Sequence, residues 1–87
     1  MKKYIIVPPK RKNKKYSVIK YNQETKKYDY LLSFGDVNYE HYEDKTPLQL
    51  WKHLNHYDKE RKIKYYQRHG LTNDKESAKY WSNRFLW

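Results

Sequence analysis

Residues 16–34 read YSVIKYNQETKKYDYLLSF, and this stretch decides the fold. Side chains alternate between two faces with a period of two from Tyr16 to Tyr21, and again from Tyr28 to Phe34. That period is typical of extended strands, whose successive side chains point to opposite faces. The segment between the two runs is polar and suits a turn. The stretch therefore predicts a β-hairpin over about 16–34.

Helix signals follow the hairpin. Thr46-Pro47 resembles a capping residue with proline at the first helical position. Asp58 is placed to cap the next helix, and Gly70 suits the position just beyond its end. Asn73 is placed to begin another. We therefore predict short helices over about 47–56, 59–69 and 74–85.

The fold class follows from these elements. A hairpin alone is marginally stable in water, so the helices must cover one of its faces. We expect a small α+β domain over 16–87, preceded by a basic arm at 1–15 whose residues 4–7 can add a short edge strand. The predicted core comprises Val18 or Ile19, Leu32, Phe34, Leu50, Trp51, Leu54, Ile63, Tyr66, Trp81 and Phe85.

Composition limits the classes of protein. The 87 residues include 20 Lys or Arg and 10 Asp or Glu, a formal net charge of +10. The absence of cysteine excludes a disulfide scaffold and a cysteine-ligated zinc site. The apolar stretch at 4–7 is too short for a signal peptide or a membrane span. We expect a soluble intracellular protein whose partner is a polyanion.

The basic residues are concentrated in two places. Residues 10–15 hold five cations in six positions, and Arg61, Lys64 and Arg68 share one face of the second predicted helix, with Tyr65 beside them. Cations at such spacing neutralise successive phosphates, and an exposed ring stacks on a base. The candidate nucleic-acid-binding residues are Lys10, Arg11, Lys12, Lys14, Lys15, Arg61, Lys64, Tyr65, Arg68, Lys79 and Arg84.

The same basic residues also fit roles that involve no phosphate contact. A solvated helix face accounts for the charged residues of the second helix as well as a phosphate site does. The run at 10–15 also fits a nuclear-import signal or a solubilising tail.

Histidines and carboxylates raise the question of metal or catalysis. His53 and His56 are three residues apart, but a zinc site needs further ligands such as His41 or Asp58. A metal nuclease could use the carboxylates near His41, which are Asp36, Glu40, Glu43 and Asp44. Surface histidines and turn or cap carboxylates explain these residues better. We therefore expect no catalytic residue, no metal and no cofactor.

Several short strings occur in a distinctive order. They are Ser33-Phe34-Gly35-Asp36, Tyr39-Glu40-His41-Tyr42, His56-Tyr57-Asp58-Lys59-Glu60-Arg61-Lys62, Tyr65-Tyr66-Gln67-Arg68-His69-Gly70 and Tyr80-Trp81-Ser82-Asn83-Arg84-Phe85-Leu86-Trp87. In this combination the chain resembles an uncharacterised family of small basic proteins encoded by large eukaryotic DNA viruses and some tailed phages. The resemblance covers about residues 16–87, and residues 45–55 look like an insertion relative to shorter members.

The resemblance implies a viral or phage product and carries over no catalytic residue. Such a product would act in the cytoplasm or nucleus of the infected host cell, or in the virion. Together with the charge, this leads us to expect a nonenzymatic protein that binds nucleic acid largely through phosphates, independently of sequence. The alternative is a minor virion or capsid-associated protein that binds other proteins; a metal-dependent nuclease is a third. No membrane partner is expected, and the oligomeric state is left open.

Overall fold

The computed structural model describes residues 2–87, in which three strands form one antiparallel sheet in the order β1-β2-β3. The strands are β1 (Tyr4–Val7), β2 (Lys14–Asn22) and β3 (Lys27–Asp36). The predicted hairpin is confirmed and is longer at both ends. The α+β class is confirmed as well, because two α-helices follow the sheet.

The segment predicted as a basic arm, 1–15, pairs with the sheet in its described part. β1 pairs with β2 as the expected edge strand, with Ile5 opposite Ile19. The chain then turns through residues 8–13, where Asn13 has a φ of 67°. Lys14 and Lys15 already belong to β2. The cations therefore lie in a turn and a strand, not in a free arm, because pairing of β1 ties the segment down.

A β-bulge interrupts the pairing of β2 with β3. Val18 is opposite Leu32, whereas Ile19 is opposite Tyr30, so Leu31 is an extra residue in β3. Leu31 and Leu32 both pack against the core as a result. Strict alternation therefore does not hold along the whole of β3.

The first helix, α1 (Lys59–His69), has the predicted bounds. The Asp58 side chain accepts hydrogen bonds from the backbone N–H groups of Glu60 and Arg61, at 3.0 and 3.3 Å. These bonds satisfy donors that a helix N-terminus leaves free. Gly70 ends the helix with a φ of 70°.

The second helix, α2 (Ala78–Phe85), begins later than predicted. The Asp74 carboxylate accepts the N–H of Glu76, which forms a turn. Ser77 then caps the helix by accepting the N–H of Lys79. Local side-chain bonds to the backbone therefore replace the first helical turn that was expected.

The helix predicted over 47–56 is wrong, since the structure contains only a 3₁₀ turn at Lys52–Leu54. Gln49 has a φ of 48°, which an α-helix does not allow. The N–H groups of Thr46 and Trp51 donate to the Asp44 carboxylate instead of starting a helix.

The core lies between the sheet and α2, and its buried apolar residues are Tyr16, Val18, Phe34, Trp81 and Leu86. The Trp81 ring stacks on Phe85 at 5.6 Å and lies 5.7 Å from the ring of Tyr4. Placing Leu50 and Ile63 in the core was wrong, because they are 48% and 57% exposed. The Tyr66 hydroxyl instead contacts the C-terminal part of α2, donating to the Asn83 carbonyl at 2.9 Å.

No helix within residues 2–87 has the length and apolar content that crossing a bilayer requires.

Candidate nucleic-acid interface

A groove of about 660 Å³ lies between the adjoining ends of β2 and β3, the two helices and the C-terminal residues. We call it the cationic groove. Its charged lining consists of the cations Lys14, Lys15, Arg61, Lys64, Arg68 and Lys79 and the carboxylates Asp36 and Glu40. Six positive and two negative side chains give a formal charge of +4. Clefts lined by one sign of charge concentrate ligands of the opposite sign.

The groove brings together most of the candidate residues from both basic segments. Seven of the eleven line it: the six cations named above and Tyr65. The other four, Lys10, Arg11, Lys12 and Arg84, lie outside its lining. The Arg11 guanidinium instead lies 4.0 Å from the centroid of the Tyr30 ring.

The cations of the groove differ in how far they are already engaged. Arg61 forms an ion pair with Glu40 at 2.9 Å and lowers the pKa of that carboxyl group. Lys79 donates to the backbone carbonyl of His69. Within the described part of the chain, Lys14, Lys64 and Arg68 have no acidic partner within 4 Å. These three side chains are the free cations of the groove.

Tyr65 lines the groove but is not the free stacking ring that we expected. Its ring stacks on Trp87, with 4.4 Å between centroids and 5° between planes. The His69 imidazole lies 4.6 Å away. Burial raises the pKa of Tyr65 to about 12. The ring therefore packs α1 against the C-terminus, and this use leaves it unsuited to receive a base.

Lys15 lies beneath the groove and is only 1% exposed. Its Nζ donates to the carbonyl of Tyr39 at 2.6 Å and to Nδ1 of His41 at 2.8 Å. Burial lowers the pKa of Lys15 to about 8, although Asp36 and Asp44 oppose that shift. Lys15 is thus part of the groove floor, and its expected role as an exposed phosphate contact does not fit this position.

His41 continues the buried network. Its Nε2 lies 2.7 Å from Oδ1 of Asn55, which also accepts the N–H of Asp44 at 2.7 Å. Because Asn55 Oδ1 can only accept, Nε2 carries the proton and Nδ1 accepts from Lys15. Burial, followed by the charge of Lys15, lowers the pKa of His41 to about 4. The imidazole is therefore neutral near pH 7.

Asp44 joins this network to the sheet. Its carboxylate accepts from the Tyr16 hydroxyl, from the N–H and hydroxyl of Thr46, and from the N–H of Trp51. Burial alone would raise the pKa of Asp44, but the bonds from Thr46 and Tyr16 outweigh it and lower that pKa. Burial also raises the pKa of Tyr16 to about 12. Sequence reasoning treated Asp44 as a turn residue and missed its partner 28 positions away in β2.

A second groove, of about 750 Å³, lies at the opposite end of the sheet. Its charged lining consists of Lys2, Lys3, Lys20, Glu24, Asp29 and Glu76. Three cations and three carboxylates give a formal charge of zero. Lys20 and Glu76 form an ion pair at 2.9 Å. We call this the balanced groove; of the two grooves, only the cationic groove has an excess of positive charge.

The histidines have local roles in the structure. His56 Nδ1 accepts the N–H of Asp58 at 2.9 Å, just before α1. Within residues 2–87, no group of three or more His, Asp or Glu side chains is placed to hold a metal ion.

No protein-family model, curated protein or solved structure matches this chain. Free ammonium and guanidinium groups around a concave surface bind anions, and phosphates above all, through charge-assisted hydrogen bonds.

Proposed function

We propose that this protein binds nucleic acid through its phosphates in the cationic groove, without catalysis. The observation that carries the proposal is the meeting of cations from β2, α1 and α2 around one concavity with a formal charge of +4. Each phosphate contact releases counterions from the nucleic acid, which favours binding at low salt.

Binding of this kind is independent of sequence. The free cations Lys14, Lys64 and Arg68 suit phosphate oxygens, and phosphate contacts carry no base information. Tyr65, the ring expected to contact bases here, is stacked on Trp87. We therefore propose similar affinities for unrelated sequences of equal length.

The biological setting is part of the proposal. The resemblance to small basic proteins of large DNA viruses and tailed phages suggests a viral product in the infected cell or the virion. A packaged or replicating genome is a polyanion that such a product would meet. The cationic groove supplies the chemistry for that encounter.

The test is the salt dependence of binding to a labelled duplex of about 16 base pairs, measured by fluorescence anisotropy between about 50 and 200 mM salt. Three free cations predict a slope of log K against log salt near −0.9 per contact, or about −2.7. Negligible binding at the lowest salt, or a slope near zero, would refute the proposal.

A pair of double variants locates the site. Lys64→Gln with Arg68→Gln removes two free cations and should reduce the slope by about two units. The matched control, Lys52→Gln with Lys59→Gln, removes the same charge from positions outside the groove lining. An equal reduction in both would mean that net charge, not the groove, determines binding.

A minor virion protein that binds other proteins remains a second candidate. Leu71 is 82% exposed, and Tyr39, Leu50, Tyr57 and Ile63 are exposed as well. Apolar side chains at a surface favour protein contacts when they form a contiguous patch. Sedimentation at high salt tests this candidate, since an apolar assembly persists where phosphate binding is screened.

A further inference from the structure

One face of the sheet carries no helix in the described part of the chain. Helix α2 covers the other face, where Tyr4, Ile6 and Val18 pack. Because side chains alternate along a strand, their neighbours point away from the core. We call this surface the open face; its side chains are Ile5, Val7, Ile19, Tyr21, Tyr28 and Tyr30.

Three tyrosines on the open face are held in place by defined contacts. The rings of Tyr21 and Tyr28 meet edge to face at 5.3 Å. The Tyr28 hydroxyl donates to the carbonyl of Lys2 at 2.7 Å, and the Tyr30 hydroxyl is 2.9 Å from Oγ of Ser33. Tyr30 remains 38% exposed. These contacts hold the aromatic rings over the strands. Tyr21 and Tyr28 are half-buried. The exposed Arg11 side chain covers one face of the Tyr30 ring, so a base that stacks on that face must displace Arg11.

A turn that carries three cations, of which Arg11 contacts a tyrosine, borders one end of the open face. The turn between β1 and β2 folds onto it, with the N–H of Lys10 donating to Oγ of Ser17 at 2.8 Å. The Arg11 guanidinium lies over the Tyr30 ring, and Lys12 follows in the turn. These are three of the four candidate cations that lie outside the cationic groove. Asp29 pairs with Lys20 and so belongs to the opposite face of the sheet. Tyr21, Tyr30 and Asp29 nevertheless all line the balanced groove at the far end.

We infer that the open face binds a single-stranded segment of nucleic acid, with bases stacked on the tyrosines and phosphates against Lys10, Arg11 and Lys12. Aromatic rings beside cations complement a strand whose backbone is anionic and whose bases are unstacked. A duplex cannot stack in this way, because its bases already face one another. A second copy of the chain is disfavoured, since it would bring like charges together. The inference rests on the proposed function for the class of ligand but uses different residues.

The first test compares two substitutions of the exposed Tyr30. Tyr30→Leu removes the aromatic ring and keeps apolar bulk, whereas Tyr30→Phe keeps the ring. We expect Tyr30→Leu to weaken binding of an oligothymidine of about 12 nucleotides by about tenfold, and Tyr30→Phe to change it by less than about twofold. Duplex affinity should be the same in both variants. Equal single-strand affinities of the Leu and Phe variants would overturn the inference.

The second test needs no variant. Methyl NMR of the wild-type protein should show ring-current shifts at Ile5 and Ile19 when the oligothymidine is added. The methyls of Val18, on the core face of the same strand, should not move. Shifts confined to groups lining the cationic groove would overturn the inference. So would shifts of Ile19 that follow protein concentration without nucleic acid, because they indicate self-association.

The two proposals fail in distinguishable ways. A wild-type protein that binds neither duplex nor single strand refutes the proposed function and the inference with it. A protein that binds the duplex with the expected salt slope, but whose Tyr30 variants bind oligothymidine alike, refutes only the inference.

Discussion

The two ends of the sheet handle charge in different ways. At the balanced groove, Glu76 accepts from Lys20 and from the Tyr4 hydroxyl at the surface. At the cationic groove, Lys15 and Asp44 are buried and belong to the hydrogen-bond network below the groove. The exposed pair cancels charge where solvent already screens it. The buried network supports the groove without using Lys14, Lys64 or Arg68, so the residues that support the groove differ from the cations that are free to bind.

Removing the buried carboxylate of Asp44 is the strongest test of whether the two ends of the sheet differ. Asp44→Ala leaves the Tyr16 hydroxyl and the N–H groups of Thr46 and Trp51 without their acceptor. We expect a loss of about 3–5 kcal/mol in the free energy of unfolding, measured with urea. The control at the other end, Glu76→Ala, should unfold close to wild type, because its partners remain solvated. Similar losses in both variants would show that the two ends do not differ.

The two glycines compare the floor of the cationic groove with the C-terminal end of α1. Both have a positive φ, 78° at Gly35 and 70° at Gly70. A Cβ at Gly35 would lie 2.9 Å from Cδ1 of Leu86 and 3.0 Å from Cβ of Lys15, whereas one at Gly70 meets nothing within 4 Å. We expect Gly35→Ala, which adds overpacking to backbone strain, to cost about 3–5 kcal/mol in thermal or urea unfolding. Gly70→Ala adds strain alone, since its ψ of −169° lies in a region that only glycine adopts readily, and should cost about 1–3 kcal/mol. The reverse order would contradict the packing at the groove floor.

Mild acid should lower the free energy of unfolding through His41, which lies below the cationic groove. The folded pKa of His41 is about 4, against about 6.5 in the unfolded chain. Between these values the unfolded chain binds more protons, so the free energy of unfolding falls as the pH is lowered. We expect a loss of about 1–2 kcal/mol between pH of about 6.5 and 5.

Comparison with a variant assigns that loss to His41. In His41→Gln much of the pH dependence should disappear, leaving the smaller contribution of His56, whose pKa is also lowered by burial. An unchanged pH profile in the variant would show that His41 is not the group responsible.

The smallest expected effect concerns the ion pair at the rim of the cationic groove. Glu40→Gln releases Arg61 for phosphate, so the salt slope for duplex binding should steepen by about one unit. Glu76→Gln, in the balanced groove, removes the same charge and should leave the slope unchanged. In an Arg61→Gln background the effect of Glu40→Gln should vanish. Its persistence there would mean that Glu40 acts only through net charge.

The sequence was sufficient where a local signal determines the structure. The alternation from Tyr16 to Phe34 predicted the hairpin. Asp58 and Gly70, at either end of an 11-residue segment, predicted α1 with its observed bounds. The face of Arg61, Lys64 and Arg68 was also foreseeable, because it depends only on helical geometry, and all three line one groove.

The remaining features depend on contacts between distant residues. Thr46-Pro47 is a valid helix start, but Asp44 takes up the N–H groups there and itself contacts Tyr16 in β2. In the sequence Lys15 is one cation of a basic run, yet its bond to His41 spans 26 positions. No periodicity or spacing reveals such pairs, because both partners look like ordinary surface residues.

The bulge at Leu31 determines which faces the two parts of β3 present, in a way that the composition of the strand does not suggest. If β3 kept all its residues but paired without the bulge, the part before Leu31 would shift by one position, and Tyr28 and Tyr30 would turn toward the helix. Deleting Leu31 would instead make Tyr30 and Leu32 neighbours on opposite faces, which is where they already lie. Lengthening the polar loop at 23–26 leaves both faces unchanged. β3 should therefore tolerate deletion of Leu31 far better than insertion of a further residue beside it.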